Sequence, residues 1–413
     1  MKQDFEAHKR DPEYYFDDGS CIFLVEDTLF KQVHRSRLCN DSRQSKDSNS
    51  FGTMFSLPQG RLEVEGKSDE NPIVLIGNTP SEFRHFLWSF YALPPEINKA
   101  SENLPLMIDI ARVSHKYDFK DLETWALNTI HEYVNRKPSP ILAANPPAQS
   151  YTFSFHGMAS NRTKSNDATT IQNTEELTTL IRLAHLCNHE PLLTTLISHL
   201  KQLMSSSVQY AYIAMTLADE LDLRSLRGVA YLEVMQKATV VKRTKTDIEL
   251  KAMTTQLSST TADTIPFVPG LPAATEEGTV DEEDRLVISR AQQLRLLSGY
   301  YRLTSTWERL RTTPPAFDHS SSCGATWHQH GCTQSWVEFW KEKTRIDAVL
   351  ALGLTDVVGR LKQIHKEYER WGSVPYMHFE CRNAARNAIL EVIRKIEDGL
   401  PDFFSDGEEE DEW

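Results

Sequence analysis

The stretch Cys323-Gly-Ala-Thr-Trp-His-Gln-His-Gly-Cys332 holds the densest group of side chains able to do chemistry. Cys323 and Cys332 bracket His328 and His330, and His378 and Cys381 follow at the expected start of a helix. Thiolate and imidazole are the ligands that Zn²⁺ takes in tetrahedral sites, and loop residues plus a helix start can supply four of them. Cys323, His330, Cys332 and Cys381 are the set expected to hold a structural zinc. The spacing matches no standard finger, and ordinary buried thiols beside a solvated His pair near Trp327 and Trp336 would give the same string. No general base stands nearby, so a catalytic metal is not expected. Elsewhere the chain carries no GxSxG, HExxH, GxGxxG or GxxxxGK arrangement. Neither a nucleophile–base pair nor a phosphate cradle is therefore expected, and the chain is read as a non-enzyme.

The elements around this loop come from a chain of 413 residues, long enough for two or three domains. It has 45 basic and 58 acidic residues and a formal net charge of −13. That balance argues against a surface given over to nucleic acid or anionic lipid, because phosphate recognition needs clustered Lys and Arg. Val241-Lys-Arg-Thr-Lys245 is a short basic cluster of the kind found at a solvated helix end. No run of about 20 apolar residues suggests a membrane span, and Met1 to Asp11 lacks the apolar core of a secretory signal. Six cysteines do not form a disulfide scaffold at this length, which points to a reducing compartment, cytoplasmic and/or nuclear. The sequons at Asn40 and Asn161 are then chance matches.

Composition divides the chain into three ordered blocks. Residues 137–173 are rich in Pro, Ser, Thr and Asn, and residues 254–283 combine Ser/Thr clusters with an acidic run. Both read as linkers, since such segments bury too little apolar area to offset the entropy of ordering. Residues 401–413 form an acidic tail. The first block, 12–136, is α+β. Cys21 to Val25 and Thr28 to Val33 read as a hairpin, Ile73 to Ile76 as a third strand, and the remainder as helices. The second block, 174–245, and the third, 284–400, read as all-α, with a Cys/His loop inside the third.

A small residue, a Leu eight later and an apolar residue four after that occur three times: Ser114/Leu122/Ala126, Ala184/Leu192/Leu196 and Ala218/Leu226/Ala230. The pattern predicts helix–turn–helix units in which the small residue allows close approach. It arises from true repetition or from any packed pair of antiparallel helices.

The first block also carries Phe30 with His34-Arg35, Phe51-Gly-Thr-Met-Phe55, Ile73-Val-Leu75, Phe83…Leu87…Tyr91 and Ile110-Ala111…Tyr117…Leu122. In order and spacing, over roughly 120 residues, it resembles a BTB/POZ domain of the kind expanded in mushroom-forming fungi. Phe30 to His34 is one residue longer than the common spacing, which predicts a bulge or a shifted strand end. Ser20 stands where many such domains place an acid, with Arg35 able to supply its basic partner at the dimer interface. The resemblance implies a small sheet with stacked helices, a BACK-like helical extension over 174–245, and a homodimer. His34, Arg35, Phe83, Leu87 and Tyr91 are its interaction or core positions. It also implies protein partners: a cullin scaffold, if the chain is a ubiquitin ligase adaptor, or transcriptional and chromatin proteins, if it is a nuclear scaffold. The cullin surface would be the helix from about Pro80 to Leu93 and the helices after it. Related fungal proteins carry a similar Cys…His-Gly-Cys…Trp stretch, which favours the zinc.

Overall fold

Three short apolar runs near the start of the chain pair into the main sheet. Strands β2 (Ile22–Val25) and β3 (Thr28–Lys31) form the expected hairpin, in register from Ile22–Lys31 to Val25–Thr28. Strand β4 (Ile73–Leu75) adds in parallel to β2, and β1 (Lys9–Tyr15) adds in parallel to β3. The order is β1-β3-β2-β4. The sequence pattern did not reveal β1, whose burial repeats every third residue rather than every second. This computed structural model describes residues 8–31, 35–39, 49–57, 65–144, 167–205, 207–237, 241–242, 286–324, 326–371 and 377–405. They are mostly helical, with a small mixed sheet near the N-terminus, an α+β layout.

The described chain divides into two compact units, one running up to His199 and the other from Leu200 onward. Helices of the 174–245 stretch therefore contribute to both. In the first unit, alternation along β2 sends Phe23 and Val25 to one face of the sheet and Ile22 and Leu24 to the other. The first face packs under α2 (Ser50–Ser56), α3 (Pro80–Tyr91) and the hairpin of α5 (Leu104–Lys116) and α6 (Lys120–Val134). Its core is aromatic: Phe23, Phe30, Phe51, Phe83, Phe86 and Phe119 are at most 1% exposed. Many of their ring pairs meet edge to face, as the ring quadrupole favours. Helix α3 starts with a reciprocal cap between Thr79 and Glu82.

The stretch expected to be a linker, 137–173, contains α7 (Pro140–Ala144) and the first turns of α8 (Asp167–Leu186). Helix α9 (Glu190–Met204) follows, and α10 (Val208–Glu220) and α11 (Arg224–Lys237) form the next hairpin. The three repeated turns share one geometry. The residue four after each small residue is left-handed: Asp118 at φ 63°, Asn188 at φ 51° and Asp222 at φ 50°. The next amide then donates back to the small residue's carbonyl: Phe119 to Ser114 at 2.8 Å, His189 to Ala184 at 2.9 Å and Leu223 to Ala218 at 3.0 Å. This closes each helix with a Schellman-type bond, and Asp and Asn are the non-glycine residues best suited to the left-handed position. Ser114, Ala184 and Ala218 are fully buried.

The second unit continues through a two-stranded parallel pair, β5 (Val241–Lys242) with β6 (Leu286–Val287). It is completed by α12 (Arg290–Thr312), the one-turn η1 (Ser321–Cys323), α13 (Thr326–Lys343), α14 (Asp347–Leu350), α15 (Val357–Arg370), α16 (Phe379–Gly399) and η2 (Leu400–Phe404). Three sequence expectations change here. The 174–245 and 284–400 stretches, read as all-α, each give a strand to the β5–β6 pair, and the basic cluster begins on that strand rather than at a helix end. His328, His330 and Cys332 lie on a helix rather than in a loop, α13 starting eight residues earlier than Gln334. Residues 401–405, expected in the acidic tail, belong to the core: Phe404 is fully buried, stacks on Tyr231 at 5.2 Å and fills the space above Gly299. Residues 254–283 and 406–413 lie outside the described residues.

Candidate metal centre

Four elements of the second unit converge on one point. The last turn of α12 and the chain after it are held against α13 by two indole N–H groups, Trp340 donating to the Leu310 carbonyl at 2.7 Å and Trp336 to the Pro315 carbonyl at 2.9 Å. That fixes the segment carrying His319 and Cys323. Cys332 projects from α13, one turn before Trp336. Cys381 lies in the first turn of α16. Ser320 and Ser322 hydroxyls donate to the Glu380 carboxylate and tie η1 to the start of α16.

The result is a cluster of His319, Cys323, Cys332 and Cys381, whose ligand atoms all lie within 4.8 Å of one another. The three cysteines are 3%, 2% and 0% exposed. Cys323 Sγ is 3.8 Å from Cys332 Sγ, and His319 Nδ1 is 3.6 Å from Cys381 Sγ. Zn–S and Zn–N bonds of about 2.3 and 2.05 Å at tetrahedral angles give S···S and S···N edges of about 3.8 and 3.6 Å. The outer contacts also suit ligation. The His378 amide donates to Cys332 Sγ at 3.3 Å, and His319 Nε2 is engaged by Thr333 Oγ1 at 3.0 Å, which leaves Nδ1 for the centre. The His319 ring packs edge to face on Phe317. Without a cation, burial and the neighbouring thiols Cys381 and Cys332 push the Cys323 thiol up to about 12. A divalent ion reverses that balance by stabilising the thiolates, at the expense of released protons.

Of the residues expected from the sequence, Cys323, Cys332 and Cys381 are brought together and His330 is not. His330 is exposed on α13, and residues two apart on a helix point about 200° apart, so His330 and Cys332 cannot face the same centre. His319 takes its place. Its only trace in the sequence is the His-x₃-Cys step from His319 to Cys323.

A second grouping lies in the first unit, where His115, Glu123 and Cys187 come together. His115 Nδ1 is 2.8 Å from Glu123 Oε1, and Lys120 Nζ is 3.3 Å from Glu123 Oε2. Burial, followed by the Glu123 carboxylate, pushes the Cys187 thiol up to about 12. The positions implied by the family resemblance are scattered. Phe83 and Leu87 are fully buried in the sheet core, whereas Tyr91, on the same helix, is 37% exposed. Arg35 begins α1 (Arg35–Cys39), and His34 lies outside the described residues. So does the bulge expected before His34, since the hairpin register is regular through Lys31.

No protein-family model, curated protein or solved structure matches this chain. No described helix is long and apolar enough to cross a membrane.

Proposed function

We propose that the protein is a non-enzymatic interaction scaffold, with an N-terminal BTB-type domain that self-associates and a helical second unit pinned by structural zinc. The observation that carries this reading is the closed character of the His319/Cys323/Cys332/Cys381 cluster. Four protein ligands complete a tetrahedron, whereas a catalytic zinc keeps one position for water or substrate. The chemistry-bearing side chains thus serve to hold three chain segments together. His319 and Cys323 anchor the segment after α12, Cys332 anchors α13, and Cys381 anchors α16.

The BTB assignment is supported by the order of elements in the first unit: β1, a hairpin, two short helices, a strand parallel to the first hairpin strand, a capped helix, the short α4 (Pro94–Ala100) and a helical hairpin. The family-motif residues Phe30, Phe51, Phe83 and Leu87 supply its core. Exposed Tyr91 ends the helix that the resemblance assigns to partners and exposed Leu93 follows it, a cullin scaffold being the first partner to test.

Sedimentation equilibrium of the full-length chain tests the self-association. A concentration-dependent dimer, unchanged when zinc is chelated, is the expected outcome. A monomer across the accessible concentration range would overturn the scaffold reading while leaving the zinc assignment standing.

A further inference from the structure

We propose that Cys323 and Cys332 are a peroxide-responsive thiol pair whose oxidation to a disulfide expels the metal and releases η1 from α16. This inference rests on the zinc reading and assigns a regulation to that same site. Three observations single out this pair. Their sulfurs are 3.8 Å apart, so a rotation of both side chains brings them toward the disulfide length of about 2.05 Å. They lie on one continuous stretch nine residues apart, so closing the bond leaves α15 and α16 where they are. The stretch opens on Gly324, which is left-handed at φ 69° and faces open space, so the backbone beside Cys323 has room to adjust. Cys332 and Cys381 both sit on packed helices and both lie against Cys323, so the movement falls to Cys323 on the one-turn η1, and Cys332 is the partner on its own stretch of chain.

The cluster is buried but shallow. Ser321, Ser322, Gly324 and Trp327 along its edge are exposed, and His319 is half-buried. A small hydroperoxide can approach from that side. The Cys332 sulfur attacks the O–O bond and takes one oxygen as a sulfenic acid, and the other oxygen leaves as alkoxide and is protonated to the alcohol. The Cys323 thiolate then attacks the sulfenyl sulfur, forming the S–S bond and expelling hydroxide, which is protonated to water. Two thiolates, one hydroperoxide and two protons thus give a disulfide, an alcohol and water. The sulfurs lose two electrons and the peroxide bond gains them. Cys381 and His319 alone are too few ligands to retain zinc. The remaining tie between η1 and α16 is the pair of serine hydroxyls on Glu380.

The experiment uses the full chain carrying Cys39→Ser, which removes an exposed thiol that would otherwise cross-link molecules. Zinc content is measured first. A chain that binds none when zinc is supplied shows that the zinc reading itself fails. With zinc bound, tert-butyl hydroperoxide is added in the presence of a chromogenic zinc indicator, and disulfides are mapped by peptide mass spectrometry. Expected are release of the bound zinc, consumption of one peroxide per zinc, a Cys323–Cys332 disulfide, and recovery on adding dithiol and zinc. Cys323→His keeps four ligands but removes the resolving thiol of the proposed pair, and should release zinc about tenfold more slowly. Zinc retained while Cys187 oxidises, or a disulfide that includes Cys381, would overturn the pair assignment in the parent chain, whatever the variant does.

Discussion

The two groupings of potential ligands are built from similar parts and balance their charge in opposite ways. In the first unit, Glu123 is a buried carboxylate already matched by His115 and by Lys120, whose side chain is 64% exposed. An imidazole hydrogen bond and a lysine of the protein itself satisfy it. In the second unit, three buried sulfurs and an imidazole gather, and burial pushes the Cys323 thiol toward its neutral form. Proximity of His, Cys and acidic groups therefore does not by itself mark a metal site. What marks it is a set of soft ligands whose thiolate form a bound cation would stabilise. A carboxylate can be paired with lysine through solvent-facing geometry, but a tetrahedron of soft ligands matches only a soft or borderline cation.

The contrast is sharpest on removing a ligand. Cys332→Ala, or stripping of zinc, should abolish cooperative unfolding of the second unit, because structural zinc contributes roughly 10 kcal/mol of folding free energy in small modules. Near-ultraviolet circular dichroism of the buried Trp307, Trp336 and Trp340 is the readout; a spectrum unchanged by chelator would break the comparison. Next in size is the choice between histidines. His319→Ala should weaken zinc binding on the order of a hundredfold, while His330→Ala leaves it unchanged, as competition with a chromophoric chelator would show. Equal effects would place the fourth ligand elsewhere.

Glu123→Leu should destabilise the first unit by about 2 kcal/mol, less than a fully buried pair because Lys120 is largely in solvent. That loss should be the same with and without chelator in urea denaturation. A chelator-dependent loss would make Glu123 a ligand after all. The smallest effect is that of pH. Burial lowers the folded-state values of His189 and His199 below 6.5, His189 being depressed further by His131. Their neutral forms are favoured, so this contribution is complete above pH 6.5 and is lost as pH falls through the depressed folded values. Amide hydrogen exchange along α9, followed downward from pH 7.5 after correction for the intrinsic rate, should show protection declining. Protection that rises on acidification would contradict it.

Much of this was legible in the residues. The hairpin, β4 and most helices follow from periodicity and from the breaks at proline and glycine, and the small-residue/Leu/apolar triple anticipated three turns of one geometry. The cysteines of the centre were legible too, because they are few and clustered. His319 was not. It lies beyond the Cys323–Cys332 bracket, and the more conspicuous His330 fails only once the segment is known to be helical. Strand β1 escaped because Asp11 and Tyr14 are its buried positions and Pro12 interrupts the run. Residues 401–405 read as the start of a charged tail, yet Phe404 is bound by contacts with Tyr231 and Gly299, distant in sequence and invisible to any local pattern.

The three left-handed turns also set a timetable. Each joins helices through a handful of residues, so little loop entropy opposes its closure, and contacts of this kind form early. Pairing Phe23 with Ile73 must instead gather in fifty intervening positions, with a correspondingly larger entropic barrier. In pulse-labelled refolding, amides at Phe119, His189 and Leu223 should become protected before those that join β2 to β4. The sheet on which the aromatic core rests would then be assembled late, against helical hairpins already closed.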